Sequence, residues 1–395
     1  TTLYPNAEQP NHGVFVENRL RHLVADGAVD VEVVAPVPFF PSGARLWGSW
    51  SRYARVPARE TRHGLRVHHP RFAVIPKVGM TLAPGLLARS AERAVARLRR
   101  DGLGFDAIDA HYVYPDGVAA VALGRRFGVP VVITARGSDV TQIATYPRPR
   151  ATIQRAVRQA AWLITVSAAL RDGLVALGAD PERVTVLRNG VDTQMFRPAD
   201  RGEARRALRL TRPTLISVGL LIERKRHHLT IEAMRLLPDC ELLIVGEGPE
   251  RARLAALVEQ HRLGERVRLL GGQPHARLPE FYSAADVMVL ASSREGWANV
   301  LLEAMACGTP AIAMRIGGNA EVIRAAEAGR IVEQATPEAI AETVRALLAD
   351  PPPRAATCAY AEKFGWGETT AGQISIFRSV VQHAVRRPER EAVGG

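Results

Sequence analysis

The sequence predicts an α/β protein built from two doubly wound parallel sheets. Three observations carry this. The 395 residues exceed what one hydrophobic core usually organises. Short β-rich runs alternate with helical patterns, the order that gives parallel strands joined by crossover helices. The alternation breaks at a turn-rich segment near residue 190 and then begins again.

In the first half, residues 31–36, 107–110, 131–134 and 162–166 are apolar runs of strand length. Between them lie helical patterns over 15–25, 83–100 and 116–127. In the second half, residues 214–218, 241–245, 267–270, 287–290, 311–314 and 330–332 read as strands, each followed by a loop and a helix. The boundary falls in the segment 184–198, where Asn189-Gly190 makes a turn, Phe196 supplies an anchor, and a charged stretch over 197–209 follows. The expected domains are therefore residues 1–190 and 191–368. Phe364-Gly365-Trp366 leads into a helical pattern over 369–385, so 369–395 is expected as a helix and a frayed tail from 388. Open α/β sheets bind ligands beyond the carboxyl ends of their strands. Two such sheets facing each other across the boundary segment would enclose a cleft.

Composition narrows the class. Apolar residues make up 47%, ample for burial, yet the longest apolar run, 160–170, is interrupted by Thr165 and Ser167 and is too short to span a bilayer. No signal peptide is visible. Cys240, Cys307 and Cys358 are widely spaced, with no Cys-x-x-Cys pair, which argues against a disulfide framework and a structural zinc site and points to the cytoplasm.

The net charge of +12 is concentrated: residues 45–100 hold 13 Lys plus Arg against 2 Asp plus Glu. Trp47, Trp50, Tyr53, Leu82, Leu86 and Leu87 share that block. Basic and apolar residues together suggest contact with an anionic membrane surface or polyanion, against the plainer reading of a solvated Arg-rich face. Nucleic acid is disfavoured because no binding motif accompanies the charge.

The most informative segment runs from Arg294 to Pro310. Asn299 is a good N-cap, residues 300–307 favour helix, and Gly308 with Pro310 supplies a stop. Unpaired N–H groups at the start of this helix, near Gly296, Asn299 and Val300, would cradle an anion. Glu295 and Glu303 flank that start. A glycosidase pair needs carboxylates roughly 5–9.5 Å apart, whereas eight residues of continuous helix would separate them by about 12 Å. Two separate roles fit better.

This segment resembles the Glu-x7-Glu signature of the retaining family 4 glycosyltransferases, enzymes of the GT-B fold with two Rossmann-like domains. The resemblance extends over nearly the whole chain. It implies that Glu295 contacts the donor sugar and Glu303 the nucleotide ribose, and that the end of the chain is a helix crossing back to the first domain. Asn189-Gly-Val-Asp with Phe196 and Pro198 is similar to the family's hinge. Val218 to Arg226 resembles its Val-Gly-Arg-Leu-x-x-x-Lys-Gly element, with Leu220 where Arg is common and Arg226 where Gly is common. Arg224 and Lys225 are the expected diphosphate partners. Gly219, Gly246 and Gly271 follow successive strands and allow close backbone approach near base and ribose. Gly13 opens the first helix and would meet the diphosphate from the first domain.

His111 ends a strand and is expected at the reacting centre with Glu295, Arg224 and Lys225. Thr134 to Asp139 is similar to the family's Thr-x-His-Gly-x-Asp element, with Arg136 in place of His. A guanidinium cannot take a proton, so Arg136 is expected to hold an anionic acceptor or a phosphate, with His111 supplying neutral hydrogen bonding and Asp139 beside it. The opening Thr1-Thr-Leu-Tyr-Pro-Asn resembles the end of a first strand whose preceding apolar residues and Met are absent, so a shortened N-terminus is expected.

A UDP- or GDP-sugar donor and no cofactor are expected; cations and a helix start that carry the leaving charge make a metal unnecessary, and a glycan or lipid-linked acceptor at the inner membrane face fits the basic, aromatic block. No Asp-x-Asp motif offers a metal site. The alternatives are a non-hydrolysing sugar-nucleotide epimerase of the same fold and a non-catalytic sugar-nucleotide binder. A dinucleotide oxidoreductase is disfavoured, since no Gly-x-Gly-x-x-Gly follows the first strand.

Overall fold

A computed structural model of the chain describes residues 1–44, 50–74 and 79–393, with side chains to residue 385. It divides into two compact units, Thr1–Arg188 with Gly367–Gly395, and Asn189–Trp366.

The first unit runs α1 (Val14–Ala25), β1 (Val33–Val34), β2 (Val37–Pro38), α2 (Ser51–Arg55), β3 (Arg59–Arg62), β4 (Leu65–His68), β5 (Arg71–Phe72) and α3 (Ala83–Arg100). It continues with β6 (Ile108–His111), α4 (Val118–Phe127), β7 (Val131–Ala135), α5 (Ser138–Thr141), α6 (Pro147–Gln159), β8 (Trp162–Thr165), α7 (Ala168–Ala176) and β9 (Val184–Val186). Strands β6-β7-β8-β9 form a parallel four-stranded sheet. All five residues of β7 are buried, as expected of a strand covered on both faces.

The expected single strand over 31–36 is instead two short strands. Ala35 and Val37 still donate to His68 and Pro70, but Pro70 has no N–H to return to the Ala35 carbonyl, which lies 2.9 Å from His69 Nδ1 instead; β1 (Val33–Val34) pairs with β4, and β2 (Val37–Pro38) with β5. The antiparallel pair β3–β4 was not expected. Its first strand, Arg-Glu-Thr-Arg, carries no apolar face.

The basic block occupies α2, β3 to β5 and α3, and acids from outside the counted window offset part of its charge. Arg55 pairs with Glu8, Arg62 with Glu17 and Arg66 with Glu32. Trp50 and Leu82 are exposed, but Leu87 is buried with Phe72 and Ala119, so it belongs to the core rather than to a surface stripe. Trp47 lies outside the described residues.

The second unit contains α8 (Arg201–Leu208), β10 (Thr214–Val218), α9 (His227–Ala233), β11 (Glu241–Val245), α10 (Arg251–Gln260), β12 (Val267–Leu269), α11 (Leu278–Ala284) and β13 (Val287–Leu290). After these come α12 (Asn299–Ala306), β14 (Ala311–Met314), α13 (Asn319–Val322), β15 (Gly329–Val332), α14 (Pro337–Ala349) and α15 (Arg354–Glu362). Its six strands are ordered β12-β11-β10-β13-β14-β15 and all pair in parallel. Every residue of β10, β11, β13 and β14 is buried. Side chains such as Leu215, Leu242 and Ile312 form the core against α9 and α14, each stabilising the unit by roughly 2 kcal/mol.

The last helix, α16 (Gly367–Val393), belongs to the first unit, where Ile376 and Val380 pack on Val132 and Ile164. None of the described helices is long and apolar enough to cross a membrane.

Candidate functional site

Strand order in the second unit reverses between β10 and β13, and in open α/β sheets the loops at the carboxyl ends of such a pair are where ligands bind. The chain ties those loops together. Ser293 donates its N–H to the Arg224 carbonyl at 2.7 Å, and the Arg224 guanidinium donates to the Arg294 carbonyl at 3.2 Å.

Across this join, the Lys225 ammonium lies 2.6 Å from Glu295 Oε1, and Arg224 lies 3.8 Å from the other oxygen. Burial pushes the Glu295 carboxyl up, but Lys225 and then Arg224 outweigh it and hold the group below its ordinary value. Glu295 is therefore an anion locked between two cations. Gly219, at φ 155, leaves room for this arrangement, since a Cβ there would sit 3.3 Å from the Lys225 stem.

Glycine also explains how the neighbouring loops stack. A Cβ on Gly246 would lie 1.8 Å from the Gly219 carbonyl. The N–H of Gly219 donates to Val245 and that of Gly246 to Gly271, which laces the loops after β10, β11 and β12 into one shelf. Arg226 takes the conformation glycine would favour, φ 50 and ψ 38, at the N-terminus of α9. Leu220, where a third cation is common, is exposed.

Glu295 lies, as the helix bounds implied, in the loop with Gly296 before α12 begins, so the continuous-helix spacing does not describe its distance from Glu303. One local expectation needs correction. Asn299 does not cap that helix but is its first residue, following Ala298, with no side-chain cap. Its Oδ1 instead accepts from the Asn189 amide at 3.3 Å. The first N–H groups of α12, Val300 included, therefore lack a side-chain cap. The stop is as expected: Cys307 ends the helix and Gly308 takes φ 82.

Glu303 is on α12 and buried. The Tyr282 hydroxyl donates to its Oε2 at 3.1 Å, and His275 Nε2 lies 3.3 Å from Oε1. Burial, then Glu303, raise the Tyr282 pKa well above its ordinary value, so the phenol keeps its proton. Sequence reasoning missed both residues, and also Gly317, whose Cβ would lie 1.8 Å from the Glu295 carbonyl. Gly317-Gly318, separated by two residues from the end of β14, was the available signal.

In the first unit, His111 and Arg136 meet in a buried cluster. His111 Nδ1 accepts from Arg136, which fixes the ring proton on Nε2, 3.1 Å from Asp109 Oδ2. The same Asp109 oxygen accepts from Gln373 at 2.9 Å, and Gln373 accepts from Arg19 at 2.8 Å. Burial lowers the His111 pKa to about 4, with Asp109 opposing and Arg136 adding to the shift. Both ring nitrogens of this neutral imidazole face protein groups.

Asp139, expected beside an acceptor, is fully buried, and its carboxylate accepts N–H groups from Val113, Arg136 and Gly137. It shapes the loop that carries Arg136. Gly13, at φ 74, is required by the Leu3 backbone, which a Cβ would approach to 2.5 Å.

Family models match both halves: "Glycosyltransferase Family 4" over residues 12–195 and "Glycosyl transferases group 1" over residues 200–364. The chain is 32% identical over 332 residues to D-inositol 3-phosphate glycosyltransferase 1 of Catenulispora acidiphila, covering 77% of this chain and 79% of that one. It is 28% identical over 326 residues to Bacillus subtilis TuaC, named for teichuronic acid biosynthesis, covering 80% of each. Among solved structures, sucrose-phosphate synthase from Thermosynechococcus elongatus matches with TM-score 0.79 at 22% identity over 94% of both chains. Anabaena HepE in complex with UDP-glucose matches with TM-score 0.70 at 18% identity, covering 96% of this chain and 97% of that one.

Proposed function

The chain belongs to the family 4, group 1 glycosyltransferases of the GT-B fold, and on that premise we propose that it moves a sugar from a UDP- or GDP-sugar to an anionic acceptor, retaining anomeric configuration without a metal. The observation that carries the donor assignment is the joining of Arg224, Lys225 and Glu295 in the loops where the strand order reverses.

In this reading the two cations and the uncapped start of α12 take up the charge that grows on the departing diphosphate. Glu295 accepts hydroxyls of the transferred sugar, Glu303 those of the ribose, and the shelf of Gly219, Gly246 and Gly271 accommodates the nucleotide. The departing phosphate takes the acceptor's proton on the same face, so no protein base is required. HepE was crystallised with UDP-glucose, which supports a uridine donor among the candidates.

On the acceptor side, Arg136 meets the anion, and His111, whose Nδ1 accepts from Arg136, holds that guanidinium in place. Burial and then Arg19 disfavour the Arg136 charge, with Asp109 and Asp139 opposing; an incoming phosphate or carboxylate would relieve that cost. Relatives named for inositol 3-phosphate act on a phosphate-bearing acceptor, which fits. Peripheral attachment to the cytoplasmic membrane face is proposed for the basic block, with exposed Trp50 and Leu82 as apolar anchors.

The test is incubation of purified protein with UDP-, GDP- and ADP-sugars, with and without acceptor and EDTA. Slow donor hydrolysis without acceptor and EDTA-insensitive transfer with it are expected. Epimer formation instead would point to the epimerase reading, and EDTA sensitivity would remove metal independence.

A further inference from the structure

A carboxylate has about four acceptor positions, two on each oxygen. In Glu303 one position on each oxygen is already taken from within the protein, Oε2 by the Tyr282 hydroxyl at 3.1 Å and Oε1 by His275 Nε2 at 3.3 Å. The two donors come from different elements, Tyr282 from α11 and His275 from the short turn before it, and together they fix the carboxylate's rotation.

The donors are themselves held. The Phe196 ring packs edge-on to His275 with centroids 5.1 Å apart and against Tyr282 at 6.2 Å. Tyr282 and Phe196 are buried, and Thr309 donates its hydroxyl to the Tyr282 carbonyl at 2.6 Å. Burial would lower the His275 pKa, but hydrogen bonding and charge from Glu303, with Asp192 behind, leave it raised. With the ring protonated or with the neutral Nε2–H tautomer, it donates to Glu303.

What remains on Glu303, among the described residues, is one acceptor position on each oxygen of the one carboxylate. That pattern matches two adjacent hydroxyls, the 2′- and 3′-OH of a ribose.

We propose that Tyr282 and His275 are positioning residues that set Glu303 as a two-point acceptor for a ribose diol, making the enzyme select ribonucleotide over 2′-deoxyribonucleotide donors. This rests on the reading of Glu303 as the ribose partner. A lone carboxylate free to rotate would still attract either nucleotide, but it would distinguish them less.

The experiment measures Kd by calorimetry for UDP, GDP and ADP and for their 2′-deoxy counterparts. Wild type, Tyr282→Phe, His275→Leu, His275→Gln and Glu303→Ala are compared. The wild type is expected to prefer the ribonucleotide of its own base by about 30-fold, within the range for a hydrogen bond to a charged group. Tyr282→Phe and His275→Leu are expected to reduce that ratio to about 5-fold or less, while His275→Gln, which keeps an N–H donor, restores most of it. In turnover assays the two damaging variants should raise KM for the donor more than they lower kcat.

An unchanged ratio in Tyr282→Phe and His275→Leu, with the ratio collapsed in Glu303→Ala, overturns the positioning proposal alone. An unchanged ratio in Glu303→Ala as well, or no binding of any nucleotide by the wild type, overturns the ribose reading beneath it. If Tyr282→Phe unfolds, the contrast between His275→Leu and His275→Gln decides the same point.

Discussion

Replacing Lys225 by Ala removes the nearest cation from Glu295 and leaves the loop backbone in place. The ammonium stands 2.6 Å from Oε1, and the two side chains are 12% and 9% exposed. Removing one partner of a buried pair costs about 3–5 kcal/mol, because the survivor stays charged and poorly solvated. Here two features reduce the loss. Arg224 remains 3.8 Å from the carboxylate, and Glu295 can take a proton once burial dominates its titration. A loss of about 2 kcal/mol follows, which for a second unit of this size lowers Tm by about 4–8 °C.

The sign with pH follows from the same pair. Glu295 titrates below its ordinary 4.5 when folded, so its contribution is complete above that value and is lost as pH falls through the folded pKa. Lys225→Ala should remove this contribution. The assay is urea and thermal unfolding of wild type, Lys225→Ala, Glu295→Gln and the double variant at pH 7.5 without donor. A coupling of about 1.5 kcal/mol is expected, together with a fall in donor use on the order of 10² for Lys225→Ala. Additivity within about 0.5 kcal/mol would refute the reasoning.

Arg226→Gly should stabilise the second unit by about 0.5 kcal/mol, because relief of the left-handed backbone at φ 50 slightly exceeds the added chain entropy; a loss above about 1 kcal/mol in urea unfolding would contradict this. His111 and His227 titrate at about 4 when folded against an ordinary 6.5. The unfolded chain therefore binds more protons in that window, and stability should fall from pH 6.5 towards 4 by on the order of 3 kcal/mol per ring. An acid limb of the stability curve that His111→Gln and His227→Gln leave unchanged would refute it. At the basic block, Arg59→Gln should reduce co-sedimentation with anionic vesicles about 5-fold. Arg55→Gln should matter less, since Arg55 pairs with Glu8 at 2.7 Å; equal effects would show that the ion pair opens at the surface.

The second unit was the more legible half. Strands β10, β11, β13 and β14 fall where their apolar runs place them, because strands covered on both faces must be continuously apolar. The first unit was harder to read. The break between β1 and β2 is set by Pro70 on the segment they pair with, and β3 carries charges that look like surface chain until its pairing with β4 is seen.

At the site, Glu295, Lys225, Arg224 and the strand-end glycines were visible because charge and glycine directly after a strand are local signals. Tyr282 and His275 were not, since their meaning depends on where α11 places them relative to Glu303. Asn299 shows the opposite limit: a good capping residue whose side chain is drawn to Asn189 instead.

The central claim is that the second unit holds the donor by its diphosphate and ribose, and a crystal structure of the protein grown with the nucleotide sugar it turns over tests it most directly. The account predicts the diphosphate against Arg224, Lys225 and the start of α12, with the ribose diol on Glu303. A donor seated elsewhere, with the Lys225–Glu295 pair undisturbed and Glu303 still touching only Tyr282 and His275, would contradict it.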